Sequence, residues 1–97
     1  MGSNKLIITL DAQSDIKNIY NYIESRLFNK PAAENLSQKL IKTFERIRDF
    51  PNSGIVIKNY RRVVVDSYLV FYKYSEKENL VAIAHVIYGA MDYDKFL

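Results

Sequence analysis

The chain has 97 residues, 48% hydrophobic and 26% charged, with no Cys, one His and a net charge of +3. That is the length of one domain with one modest core. It excludes a disulfide framework and a Cys-based zinc site, and a single imidazole gives no basis for a metal or cofactor. No run approaches the ~18 apolar residues of a membrane span, and the N-terminus lacks a signal-peptide core, so a cytoplasmic protein without membrane contact is expected.

Met1-Gly2-Ser3 reads as a cloning remnant and is kept out of the fold. Lys5–Leu10 is a short β run. Asp11 is placed to cap a following helix, with Ser14 and Asp15 in its first turn. Ile16, Ile19, Tyr20, Ile23 and Leu27 then recur at the spacing of one helical stripe. Phe28-Asn29-Lys30 breaks that pattern, and Pro31 suits the first position of a second helix, where its missing N–H costs nothing. Ala33, Leu36, Leu40, Phe44 and Ile47 continue at helical spacing until Phe50-Pro51, because the residue before Pro is pushed out of the α region. Asn52-Ser53-Gly54 is a turn.

Three β-rich runs follow: Tyr60–Val65, Tyr68–Tyr74 and Leu80–Gly89, joined by short polar breaks. They predict an antiparallel meander. The fold class is therefore α+β in the order β-α-α-β-β-β, a single domain over 1–97. Each helix shows one apolar stripe, so the helical hairpin packs on one face of a small, mostly antiparallel sheet. The other face and the sheet edge are left for a partner. Asp92–Leu97 is expected as a short helical turn or an unpaired end.

The basic bias is local. Lys58, Arg61 and Arg62 lie within five positions with no acid among them, whereas Lys39, Lys42, Arg46 and Arg48 are diluted by Glu45 and Asp49 and read as a solvated helix face. The first group suits nucleic acid or an acidic protein. Eight Tyr are present, a residue equally at home in strands and at interfaces.

Four segments together resemble the RelE/ParE superfamily of small toxins from bacterial type II toxin–antitoxin systems. They are Ala12…Asp15-Ile16…Ile19-Tyr20…Tyr22-Ile23; Pro31-Ala32-Ala33…Leu36 through Ile47…Pro51…Gly54; Tyr60-Arg61-Arg62…Tyr68-Leu69-Val70-Phe71-Tyr72; and Val81…Ile83…Val86…Tyr88-Gly89…Asp92-Tyr93. The resemblance implies the element order already read from the pattern, and a cognate antitoxin segment that lies across the toxin. It also implies one of two targets. A RelE-like protein is a ribosome-dependent mRNA endonuclease that uses basic residues to stabilise charge on the phosphate. In that branch a basic residue follows the aromatic that opens the third strand, and Arg or Lys follows the last strand; here those places hold Leu69, and Ala90 with Met91. A ParE-like protein poisons DNA gyrase and needs no hydrolytic site. The missing basic residues favour that branch, with a detoxified partner-binding relative as a third possibility.

Arg61 and Arg62 are adjacent, so on a strand they point to opposite faces, and one of them is expected on the open face with Lys58 or Tyr72. His85 is the chain's one imidazole, the side-chain type best suited to proton transfer at neutral pH. In a nuclease, Arg61, Arg62, His85 and Tyr88 are the catalytic candidates. In a binding-type poison, Lys58, Arg61, Arg62, Tyr72, Tyr93 and Phe96 are the candidates for contact with target or antitoxin.

Overall fold

The computed structural model describes residues 3–91, 93–95 and 97, with Asp94 described for its backbone alone. The Phe96 contact expectation falls outside these residues. Strand β1 (Lys5–Ile8) leads into α1 (Leu10–Asn21), a π-helical turn (Tyr22–Arg26) and α2 (Lys30–Asp49). Strands β2 (Ile55–Ile57), β3 (Tyr60–Val65), β4 (Tyr68–Ser75) and β5 (Leu80–Tyr88) come next, then a 3-10 turn (Tyr93–Lys95). The sheet order is β1-β5-β4-β3-β2, with β1 parallel to β5 and the other pairs antiparallel.

The expected order stands with one addition, the three-residue strand β2. It pairs Ile57 with Tyr60 across the two-residue loop Lys58-Asn59. Val65 and Tyr68 flank the equally short loop Asp66-Ser67. The first residue of each loop is in the left-handed region, Lys58 at φ 54° and Asp66 at φ 52°. Asp tolerates that conformation readily; Lys carries more strain there.

Helix boundaries follow local chemistry. Thr9, not Asp11, caps α1: its hydroxyl oxygen accepts from the Ala12 N–H at 3.2 Å. The β run therefore stops at Ile8, and Leu10 begins the helix largely in solvent. Asn29 caps α2 by accepting from the Ala32 N–H, with Pro31 in the first turn where no N–H is needed. All five residues of the α2 stripe, Ala33, Leu36, Leu40, Phe44 and Ile47, are buried. Burial of each larger one contributes about 1.5–3 kcal/mol. The first-helix stripe holds as far as Ile23. Leu27 is exposed, because the π-helical turn adds a residue to the repeat and rotates Leu27 away from the sheet.

Register assigns the faces. Val63, Val65, Val70, Tyr72, Val81, Ile83 and Val86 meet the helices in the main core. The opposite face is not left bare. Leu69, Phe71 and Ile87 form a second small core there, packed by Ile57, Tyr60, Tyr93 and Leu97. The chain end is thus a 3-10 turn laid on the sheet, with the Tyr93 ring 5.3 Å from that of Phe71.

Candidate functional site

Two of the three residues of the basic group read from the sequence, Lys58 and Arg61, meet at the tip of the β2–β3 hairpin. Strand β4 runs past the start of β3, and the step between its end and the hairpin tip is a cleft of about 170 Å³. Lys58, Arg61 and Lys73 line it, with Asn59, Tyr60 and Tyr74. Among the described residues none of its lining side chains is a carboxylate.

Each cation is placed by local structure. Lys58 sits at the hairpin tip because the two-residue loop turns there. Arg61 pairs with Tyr72 in the β3–β4 ladder, on the helix side of the sheet. There its Nη1 donates to the carbonyls of Gly54 (2.9 Å) and Asn52 (3.3 Å), which fixes the guanidinium at the rim. Lys73 lies on the other face of β4, with Nζ 4.7 Å from the centre of the Tyr60 ring.

Arg62 points to the opposite face from Arg61, as strand alternation requires. It sits beside Phe71 and Ile55 in the register, and its Nε is shielded from water with no hydrogen-bond partner among the described residues. Tyr72 differs from expectation. It shares the helix side with Arg61, not the open face with Arg62, and its side chain is fully buried. Its hydroxyl donates to the Pro51 carbonyl (2.8 Å) and accepts from the Gly54 N–H (2.9 Å). It supports the cleft from beneath and offers no exposed surface for a partner.

His85 adjoins that cleft, its ring 6.4 Å from that of Tyr60 and lining the neighbouring depression with Tyr60, Lys73 and Asp11, whereas Tyr88 lies further along β5. The β4–β5 register shifts between Phe71 and Tyr72, so Ala84 bulges out of the ladder just before His85. Strand β1 ends here, and α1 takes over the exposed edge of β5. The Thr9 hydroxyl donates to the Ala84 carbonyl (3.1 Å), and the Val86 N–H donates to the Asp15 carboxylate (3.0 Å). The same carboxylate oxygen lies 3.6 Å from His85 Nδ1. Asp15 therefore closes a sheet edge and orients an imidazole at once. Asp15→Ala is expected to cost about 1–2 kcal/mol, a charge-assisted hydrogen bond discounted for partial exposure. Thermal unfolding measures the loss, and hydrogen exchange should show it localised at Val86.

Tyr88 is three residues further along β5, roughly 10 Å away. It is paired with Tyr68, their rings 5.7 Å apart. Burial, then the neighbouring Tyr88 and Tyr22 phenols, push the Tyr68 hydroxyl above its ordinary range, so it stays protonated. Of the four nuclease candidates, His85 and Tyr88 line one depression of about 280 Å³ with Asp15, whereas Arg61 sits at the cleft rim and Arg62 on the face opposite to Arg61.

A family model for the ParE toxin of the type II toxin–antitoxin system parDE matches residues 6–93. The chain belongs to this family. Solved structures agree on the fold. A chain of the chromosomal ParDE system from P. aeruginosa superposes with a TM-score of 0.75 at 14% identity, covering 89% of this chain and 96% of that one. A chain of the RelBE2 toxin–antitoxin complex from Mycobacterium tuberculosis gives 0.58 at 12%, covering 90% and 99%. The isolated E. coli RelE toxin gives 0.50 at 15%, covering 96% and 92%. A sequence comparison with curated proteins gives no match.

For this ParE family member, two residues of the site escape a reading of the sequence alone. Lys73 is legible there only as a strand residue, although its alternation with buried Tyr72 marks it as outward-facing. Asp15 looks like a first-turn acid, and its role at the edge of β5 depends on a bulge that no local pattern announces.

Proposed function

We propose that this protein arrests growth by poisoning DNA gyrase and that a cognate antitoxin neutralises it. The observation that supports the target is that the described residues lining the depression shared by His85 and Tyr88 include no Arg or Lys. Phosphodiester cleavage by general acid–base chemistry needs a proton acceptor, a proton donor and a charge clamp around one phosphate. His85 and Tyr88 line one depression with Asp15 and Met91, where the described lining carries an acid and no phosphate clamp, and Arg61 lies at the rim of a different cleft. The strand exit Gly89-Ala90-Met91 supplies no cation. A protein that acts by binding needs only surface, and the cationic cleft supplies it.

The antitoxin reading rests on family membership and on the fold shared with chains of ParDE and RelBE2 systems. Exposed Leu10, Tyr22 and Phe28 on the helical hairpin offer apolar anchors for an amphipathic segment. Induction in a bacterial host tests toxicity: growth arrest is expected, and unaffected growth would leave only a partner-binding relative. Primer extension on translated mRNA tests the nuclease alternative. No new 5′ ends are expected, and their appearance would favour cleavage on the ribosome.

A further inference from the structure

We infer that the cleft between Lys58, Arg61 and Lys73 is a phosphodiester-binding site, which gives this protein a direct contact with a polynucleotide backbone. The inference deepens the gyrase reading, because gyrase works on DNA, but its physical grounds are separate. Three cations of β2–β4 line one depression of about 170 Å³ that no described carboxylate enters. Arg61 is pre-ordered: Nη1 is spent on the Asn52 and Gly54 carbonyls, and Nε and Nη2 take no partner among the described residues. A guanidinium already fixed loses little freedom when an anion arrives. The Lys73 ammonium is exposed and has no acid partner among the described residues; its one contact is the Tyr60 ring.

Two of the four cations of the α2 group, unlike Arg61 and Lys73, are held by acids among the described residues. On α2, Lys39 pairs with Asp66 at 3.1 Å and Arg48 with Asp49 at 3.1 Å. The depression next to the cleft shares Tyr60 and Lys73 but is lined by Asp11. An arriving phosphate is therefore drawn to the Arg61 side of Lys73. An acidic peptide would meet the same charges, and exposed Val56 is the one aliphatic residue among the described lining, so an acidic peptide is included in the test as a competing ligand.

The test is fluorescence anisotropy of short labelled duplex DNA, single-stranded DNA and RNA with the purified protein, without gyrase, across a salt series. Affinity in the range of about 10–100 µM is expected at moderate salt. Its logarithm should fall against log salt with a slope of about −2 to −3, for two or three phosphate contacts. Lys73→Glu should weaken binding about tenfold and reduce the slope by about 1. Lys42→Glu on the exposed side of α2 changes the net charge equally and should cost less than about threefold, since it touches no proposed contact. Arg61→Gln, checked by thermal unfolding for an intact fold, should behave like Lys73→Glu. The relative strength of the three probes identifies which polynucleotide is preferred. No binding to any of them, equal losses in the Lys73 and Lys42 variants, full competition by inorganic phosphate at the probe concentration, or binding to an acidic peptide alone would each overturn the inference. Because gyrase is absent, a negative result here is distinct from failure of gyrase inhibition.

Discussion

Replacing Phe71 by Ala is expected to lower the stability of this domain by about 3–5 kcal/mol. The ring is fully buried, on the face away from the helices. It meets Tyr60 edge-on at 6.4 Å and Tyr93 at 5.3 Å, and packs with Leu69 and Ile87. Truncation removes the transfer energy of the ring and opens a cavity between a rigid sheet and a short tail. It also detaches Tyr93, whose seat is the Phe71 ring. The denaturant midpoint should fall without a change in slope, because the fold is retained. A loss below about 1 kcal/mol would mean that the second core does not form, since so well packed a ring cannot be removed that cheaply.

Tyr72→Phe is expected to cost about 2–3 kcal/mol while leaving the ring in place. The missing hydroxyl would abandon the Gly54 N–H and the Pro51 carbonyl, both anchored in the turn after α2. A buried donor and acceptor left without partners cost more than the net value of a hydrogen bond. Gly54→Ala should produce a similar lesion from the other side. A Cβ there would stand 2.7 Å from the Tyr72 hydroxyl oxygen and 3.0 Å from the Arg62 carbonyl. The two changes break the same contact, so the double variant should lose clearly less than the sum of the singles. Additive losses in thermal unfolding would show that the hydroxyl and the turn are not coupled. The turn also carries the carbonyls that hold Arg61, so both variants should loosen the guanidinium at the cleft rim.

Much of this architecture is legible in the chain. The α2 stripe from Ala33 to Ile47 can be read residue by residue, because a 3.6-residue period in a long segment has few alternatives. The three long strands are legible for the same reason at period two. Strand β2 is not, since Ile55-Val56-Ile57 is too short to show alternation, and the Lys58-Asn59 loop lacks the Gly that usually advertises a two-residue turn. Cap placement turns on chemistry one or two positions away: Thr9 and Asp11 are both competent, and the strand register, with the Thr9 N–H donating to the Ile83 carbonyl, decides between them.

The candidate site is legible as composition and not as geometry. Strand alternation correctly splits adjacent Arg61 and Arg62 between faces, but which face each takes depends on the pairing of Arg61 with buried Tyr72. Tyr72 itself looks like a surface aromatic in the sequence, and only the turn at Pro51–Gly54 explains why its hydroxyl points inward. Lys73 joins Lys58 and Arg61 through the overhang of β4 past β3, a relation between strands that no single segment encodes. The covering of the open face by Tyr93 is hidden for the same reason.

The central claim is that this ParE family member acts by binding gyrase and not by cutting RNA. The most direct measurement is the supercoiling of relaxed plasmid by purified gyrase in the presence of the purified protein. Loss of supercoiling at micromolar protein, relieved when the antitoxin is added, is the result predicted. Undiminished supercoiling by a preparation that arrests growth when expressed would contradict it.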